Sequence, residues 1–252
     1  MSDFLAAPGP IAFAHRGYAP DGGENTMAAF ERAVRLGYRY LETDVRVTAD
    51  GVALAFHDAT LNRMTDRRGR LSTLPWSAVR RARIGVDEPI PLLTELLDAW
   101  PDLRINLDIK SAVGVGPTVD AIRCTGSLTR VCVGSFSARR ITAVRRALGP
   151  GLCTSLGPRA ALSVRATRGR DGYVGRCAQV PVRIGLGTLV DARYLAAARR
   201  LGLKVHIWTI NGRDEMIRLL DLGVDGIMTD RAEVLRDVLI ERGQWPSVPR
   251  ET

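Results

Sequence analysis

The sequence predicts a (β/α)8 barrel, and three observations carry that prediction. Eight short apolar runs alternate with helical patterns along the chain. The runs are continuous rather than alternating, as expected of parallel strands buried on both faces. Polar side chains recur at the C-terminal ends of the runs: His15, Glu42 and Asp44, Asp108 and Lys110, Ser135, Trp208 and Asn211, Thr229 and Asp230. A doubly wound sheet shares the alternation, but no G-x-G-x-x-G follows the first run. In a barrel the C-terminal mouth holds the active site. The 252 residues suit one such domain over 1–252, with a short insertion after the second strand.

Ile11 to Ala14 is the first strand and runs into His15-Arg16-Gly17. Asn25 or Thr26 caps a helix to Leu36, with Met27, Phe30, Ala33 and Val34 at helical spacing. Tyr40 to Val47 is the second strand. Side chains alternate along a strand, so Glu42, Asp44 and Arg46 share one face and Leu41, Thr43, Val45 and Val47 the other. Asp50-Gly51 signals a hairpin whose return arm, Val52, Leu54 and Phe56, brings His57-Asp58 back toward that strand. Residues 59–91 read as an irregular insertion, longer than an ordinary connection.

A helix at 94–99 leads to the third strand, Leu103 to Lys110, and a helix near 117–123 to the fourth, Val131 to Phe136. Ser137 caps a helix to Leu148. Gly151 to Leu156 is the fifth strand, followed by a weak helix in the 160s; Cys177 to Val180, stopped by Pro181, is the sixth. Asp191 caps the helix Ala192 to Leu201, and Leu203 to Ile210 is the seventh strand, with its helix from Arg213 to Leu222. Val224 to Met228 is the eighth. Asp230 and Glu233 open the last helix in the manner of a capping box. Met1 to Pro10 and Gln244 to Thr252 read as loose ends.

With 46% apolar residues the chain can bury a large core. No run approaches the ~20 apolar residues of a membrane span. The N-terminus lacks the basic and apolar regions of a secretory signal, so the expected location is cytoplasmic. Cys124, Cys132, Cys153 and Cys177 form no C-x-x-C and have no histidine at zinc spacing; they read as small buried hydrophobes. The formal charge of +9 suggests an anionic partner. The arginines are scattered along the chain without a nucleic-acid-binding motif, so no nucleic-acid partner is expected.

Three carboxylates, Glu42, Asp44 and Asp108, thus point inward at one mouth. Three buried negative charges need compensation. All-oxygen ligands suit a hard divalent cation, Mg²⁺ or Ca²⁺; a salt-bridge network with Arg46 and Lys110 is the other solution. Two of the three histidines, His15 and His57, end at the same rim, where they suit general acid–base transfer. His206 shares parity with Trp208 but lies deeper. Arg16 and Lys110 add positive charge beside the metal site, which makes sense for a phosphate guest. Trp208 offers an apolar wall, or simply packs in the core.

His15-Arg16-Gly17, Glu24-Asn25-Thr26, Glu42-x-Asp44-Val45, His57-Asp58, Leu61-x-Arg63-x-Thr65, Trp208-Thr209-x-Asn211 and Gly226-Ile-Met-Thr229-Asp230 together resemble the glycerophosphodiester phosphodiesterases. The resemblance implies a TIM barrel, a divalent metal, and hydrolysis of glycerophosphodiesters to glycerol 3-phosphate and an alcohol. It makes His15 and His57 the acid–base pair, Glu42 and Asp44 metal ligands, and Arg16 the phosphate holder; the insertion at 59–91 matches the position of the family's inserted subdomain. The chain departs from the family at Asp108-Ile-Lys110, where the family usually has Glu-x-Lys and the related sphingomyelinase D-type enzymes have Asp. The expected course is attack by the glycerol 2-hydroxyl on phosphorus, then opening of the cyclic phosphate by water. Rival readings are a lysophospholipase D or sphingomyelinase D-like enzyme working at a membrane surface, and a non-catalytic anion-binding barrel.

Overall fold

Strands that are apolar on both faces find burial only inside a closed layer, and eight of them close here. The computed structural model describes residues 4–166 and 175–246. The barrel strands are β1 (Ile11–His15), β2 (Tyr40–Val47), β3 (Arg104–Ile109), β4 (Val131–Gly134), β5 (Cys153–Thr154), β6 (Cys177–Val180), β7 (Lys204–Ile207) and β8 (Gly226–Thr229). Neighbours pair in parallel around the ring, with β8 returning to β1. A parallel bridge between Ser155 and Cys177 joins β5 to β6. Outside the strands lie α1 (Met27–Arg35), α2 (Leu93–Ala99), α3 (Val115–Cys124), α4 (Ala138–Leu148), α5 (Pro158–Ser163), α6 (Ala192–Arg200), α7 (Arg213–Leu222) and α8 (Ala232–Glu241). Among the described residues no helix is long and apolar enough to cross a membrane.

The register places the site. His15 pairs with Glu42 across β1 and β2, and Asp44 with Asp108 across β2 and β3, so four polar side chains gather at one sector of the mouth. The outward faces pack on the helices, as Leu41, Val45 and Ile105 do with Phe30 and Leu96. Inside the barrel Phe4, Phe13, Tyr40 and Met228 pack with Cys132, Cys153 and Cys177.

Some local expectations hold and others are corrected. Thr26, not Asn25, caps α1, accepting from Ala29 N at 3.1 Å, and Asp191 caps α6 through Tyr194 N at 2.9 Å. Ser137 stands at the N-cap of α4 but its side chain makes no cap bond. Asp230 is not a cap at all. The cap position of α8 is Arg231, again without a side-chain bond, while Glu233 accepts from the Arg231 guanidinium at 2.8 Å. The insertion is ordered: the hairpin arm Ala53–Ala55 pairs antiparallel with β2, and Leu61, Leu71, Val79 and Ile84 bury a small core of their own with Phe56. The chain ends are packed where they are described, for Phe4 is fully buried and Trp245 meets Tyr38 edge-on at 5.1 Å. The rest of both tails, and part of the helix expected in the 160s, lie outside the described residues. Cys124 is exposed, unlike the other three cysteines.

Candidate active site

His15, Arg16, Glu42, Asp44, His57, Asp108, Lys110 and Trp208 line one cavity of about 480 Å³, whereas Asn211, Thr229 and Asp230 do not line it. The second strand delivers its two carboxylates as its parity requires, with Glu42 4% and Asp44 1% exposed. Arg46, on the same parity, does not join them; its long side chain turns outward and donates to the His57 carbonyl at 2.8 Å.

The buried charges are compensated unequally. Asp44 forms ion pairs with Lys110 Nζ at 2.7 Å and with Arg16 Nε at 2.9 Å. Burial raises its pKa, but Lys110 and Arg16 outweigh burial and the net shift is downward. Lys110 also donates to Asp108 at 2.6 Å. There burial wins and the Asp108 pKa rises, while its Oδ1 stays buried without a hydrogen-bond partner. Glu42 has no lysine or arginine side chain on it. It accepts from the Arg16 backbone N–H at 3.2 Å and faces His15 Nε2 at 3.7 Å. Burial, then the Asp44 charge, push its pKa up to about 7. The salt-bridge alternative is therefore half realised, by Lys110 and Arg16 rather than Arg46, and among the described residues it gives Glu42 no lysine or arginine side chain at ion-pair distance.

Both histidines are oriented alike. His15 Nδ1 lies 2.6 Å from Asp230 Oδ1, and His57 Nδ1 lies 2.6 Å from Asp58 Oδ1. Each carboxylate fixes one ring nitrogen and leaves Nε2 toward the cavity. Burial depresses the His15 pKa, but Glu42 and the Asp230 hydrogen bond outweigh it and the net shift is upward. Asn211 holds Asp230 in turn, donating from Nδ2 at 2.8 Å. Arg63 clamps Asp58 at 2.7 and 2.9 Å and reaches Glu24 at 2.7 Å, and Glu24 accepts from Arg16 at 3.0 Å. A continuous set of ion pairs thus runs from His57 to Asp108.

Glu24, Asn25, Asp58, Arg63, Asn211 and Asp230 stand in the sequence motifs, but no local signal assigns them these roles. Arg16 and Asn25 both have left-handed backbone, φ 57° and 60°. In that conformation Asn25 Nδ2 donates to Asp44 at 3.2 Å and its Oδ1 accepts from Thr43 at 2.7 Å. Such φ values are costly for residues with a Cβ and cluster at functional sites. The cavity floor, where Gln179 donates to Asn106 at 2.7 Å, carries no sequence signal either. Trp208 lies on the far wall, edge-on to Phe136 at 5.6 Å.

The donor set suits a hard divalent cation: oxygen ligands only, one buried carboxylate without a cationic side chain, and a buried unpaired Asp108 oxygen. As they stand, Lys110 is paired with both Asp44 and Asp108. Among the described residues, Cys132, Cys153 and Cys177 are the ligand-type side chains whose donor atoms all lie within 4.8 Å of one another.

Residues 15–234 match the sequence model of the glycerophosphoryl diester phosphodiesterase family. A probable glycerophosphodiester phosphodiesterase of Mycobacterium tuberculosis is 42% identical over 252 residues, with 96% of each chain covered. The crystal structure of a putative glycerophosphoryl diester phosphodiesterase from Silicibacter pomeroyi superposes with a TM-score of 0.82 at 25% identity, covering 97% of this chain and 98% of the other. That of an Oleispira antarctica phosphodiesterase, in complex with the product sn-glycerol-3-phosphate, superposes at 0.77 with 20% identity, covering 92% and 97%. At that identity the likeness supports the fold alone.

Proposed function

This chain belongs to the glycerophosphoryl diester phosphodiesterase family, and on that premise we propose that His15 and His57 hydrolyse a glycerophosphodiester by acid–base transfer across its phosphorus. The chain is a glycerophosphodiester phosphodiesterase, an enzyme. The observation that carries the mechanism is the matched pair of carboxylate-anchored histidines, each with Nδ1 at 2.6 Å from its aspartate. One histidine takes the proton of the glycerol 2-hydroxyl as that oxygen bonds to phosphorus. The other gives a proton to the departing alcohol oxygen. The nucleophile is part of the substrate, so the step gains effective molarity. Water then opens the cyclic phosphate to glycerol 3-phosphate, with the histidines' roles exchanged.

Glu42, Asp44 and Asp108 are the residues that would hold Mg²⁺ or Ca²⁺. Such an ion, when bound, supplies charge neutralisation at the phosphoryl oxygens. Arg16, planar and fixed by Glu24 and Asp44, presents its remaining N–H groups to phosphate, with Lys110 as a second positive charge. The test is choline release from glycerophosphocholine by the parent and by His15→Asn and His57→Asn. Each variant is expected to lose about 10²- to 10⁴-fold in kcat. Parental turnover by either variant removes that histidine from the mechanism.

A further inference from the structure

Three thiols meet where the barrel ring is held most thinly. Among the described residues, every neighbouring pair of barrel strands shares a ladder except β5 and β6, which are joined by the single bridge from Ser155 to Cys177. Across that seam stand Cys132 on β4, Cys153 on β5 and Cys177 on β6, each fully buried and none in a disulfide. Each lies two residues before a residue that lines the cavity, Gly134, Ser155 or Gln179, and side chains two apart on a strand share a face. The cysteines therefore form a layer of the barrel interior just beneath the catalytic cavity. They share no residue with the carboxylates above.

Their sulfurs converge. All three lie within 4.8 Å of one another, and Cys132 Sγ is 3.8 Å from Cys177 Sγ. A tetrahedral thiolate site with metal–sulfur bonds of ~2.3 Å has an edge of ~3.8 Å. Cysteine fills a core as a small hydrophobe at any inward position, and packing alone does not bring three donor atoms to one point from three strands. Charge is met as well. Three thiolates around a divalent ion leave one negative charge, and two arginines flank the seam. Arg176 directly precedes Cys177, and Arg145 donates to the Leu152 carbonyl at 3.3 Å and to Thr154 Oγ1 at 3.1 Å, on either side of Cys153. We propose that Cys132, Cys153 and Cys177 form a second metal site, for a soft, thiolate-seeking divalent ion of the zinc class, which staples β4, β5 and β6 together. The ligands of the mouth are oxygens and take a hard ion, whereas sulfur selects the opposite class, so the two sites do not compete for one metal. On binding, the ion takes the place of the thiol protons, which pass to solvent, and affinity therefore weakens as pH falls.

The experiment titrates Cd²⁺, whose thiolate complexes absorb in the ultraviolet where carboxylate complexes do not, into reduced Cys124→Ser. That substitution removes the exposed thiol and leaves the three buried ones. Excess Mg²⁺ is present throughout to occupy the carboxylates, and Cd²⁺ is added both to the folded protein and during refolding from urea. The expected result is thiolate-to-cadmium absorption that saturates at one ion per chain. X-ray absorption of the zinc form should show sulfur neighbours at about 2.3 Å. Free Cd²⁺ at about 100 times its dissociation constant should raise the folding equilibrium constant about 100-fold, read from urea unfolding. Cys153→Ala in the same background should lower the affinity at least about 100-fold, more than loss of an outer-shell partner costs. Cooperative unfolding of that variant in urea shows that the barrel still forms. No thiolate absorption under either mode of addition overturns the site, and this outcome needs no cysteine of the cluster replaced. Absorption undiminished in Cys153→Ala, or saturation at one ion per two chains, overturns it equally. Binding that leaves the unfolding curve where it was overturns the staple.

Discussion

His206 gives the barrel a defined sensitivity to acid. It is fully buried, packs against Phe13 with ring centroids 4.9 Å apart, and neither ring nitrogen has a hydrogen-bond partner among the described residues. Burial pulls its pKa from 6.5 down to about 4. In the unfolded chain the ring takes a proton near pH 6.5, whereas in the folded protein it resists until about pH 4. The folded pKa is the depressed one, so the stability is complete above pH 6.5 and is lost as pH falls toward 4. Linkage puts the loss at about 2 kcal/mol at pH 5 and on the order of 3 kcal/mol by pH 4. Replacement His206→Leu changes the packing by an amount that does not depend on pH and removes the titration. Urea unfolding of parent and variant from pH 7.5 to 4.5 should therefore give stabilities that converge or cross as pH falls, the parent losing about 2 kcal/mol more by pH 5. The carboxylates of the mouth titrate in both proteins and cancel in the difference. Parallel curves would show that His206 gains a proton partner in solution, and the account of a neutral ring in an apolar core would be wrong.

Asp108 carries negative charge at a position one methylene short of the family's usual Glu. Asp108→Asn is expected to lose most activity and most divalent-cation affinity by calorimetry, while Asp108→Glu keeps a large part of both; an Asn variant matching the parent takes Asp108 out of the cation site. Asp230→Asn and Asp58→Asn keep the size of the histidine anchors but swap an acceptor for an amide, so each should lower kcat by about 10²- to 10⁴-fold and shift the pH–rate profile, with folding unchanged; an unshifted profile reduces the aspartates to packing. Gly17 lies at φ 84°, and a Cβ there would sit 2.7 Å from the Ala29 carbonyl carbon. Gly17→Ala should cost more than about 2 kcal/mol in urea unfolding, from the left-handed backbone and the overlap with α1 together.

What was legible in the sequence was whatever a local period or a two-residue spacing encodes. The parity of β2 buried Glu42 and Asp44 as expected, and Asp191 capped its helix because its partner amide lies three residues away. The apolar runs located all eight barrel strands, although β5 shrinks to Cys153–Thr154. The anchors of the two histidines were not legible in this way. His15 and Asp230 are 215 residues apart and meet only because β8 closes on β1; Arg63 finds Glu24 across 39 residues and a loop. The two misread side chains at the mouth make the same point. Asp230 precedes a helix and satisfies the local rule for a cap, and Arg46 shares a face with two carboxylates. In the fold Asp230 holds His15 and Arg46 binds the carbonyl of His57. Both local rules were overridden at one place, the C-terminal mouth, whereas Thr26 and Asp191, with no histidine to serve, obey theirs. Natural sequences break local consistency chiefly where a site needs the side chain more than the helix does. A strong cap signal left unused at the end of a barrel strand is therefore worth reading as a signal in its own right: Asp230 gives its carboxylate to His15, 2.6 Å away, and not to the helix that follows it.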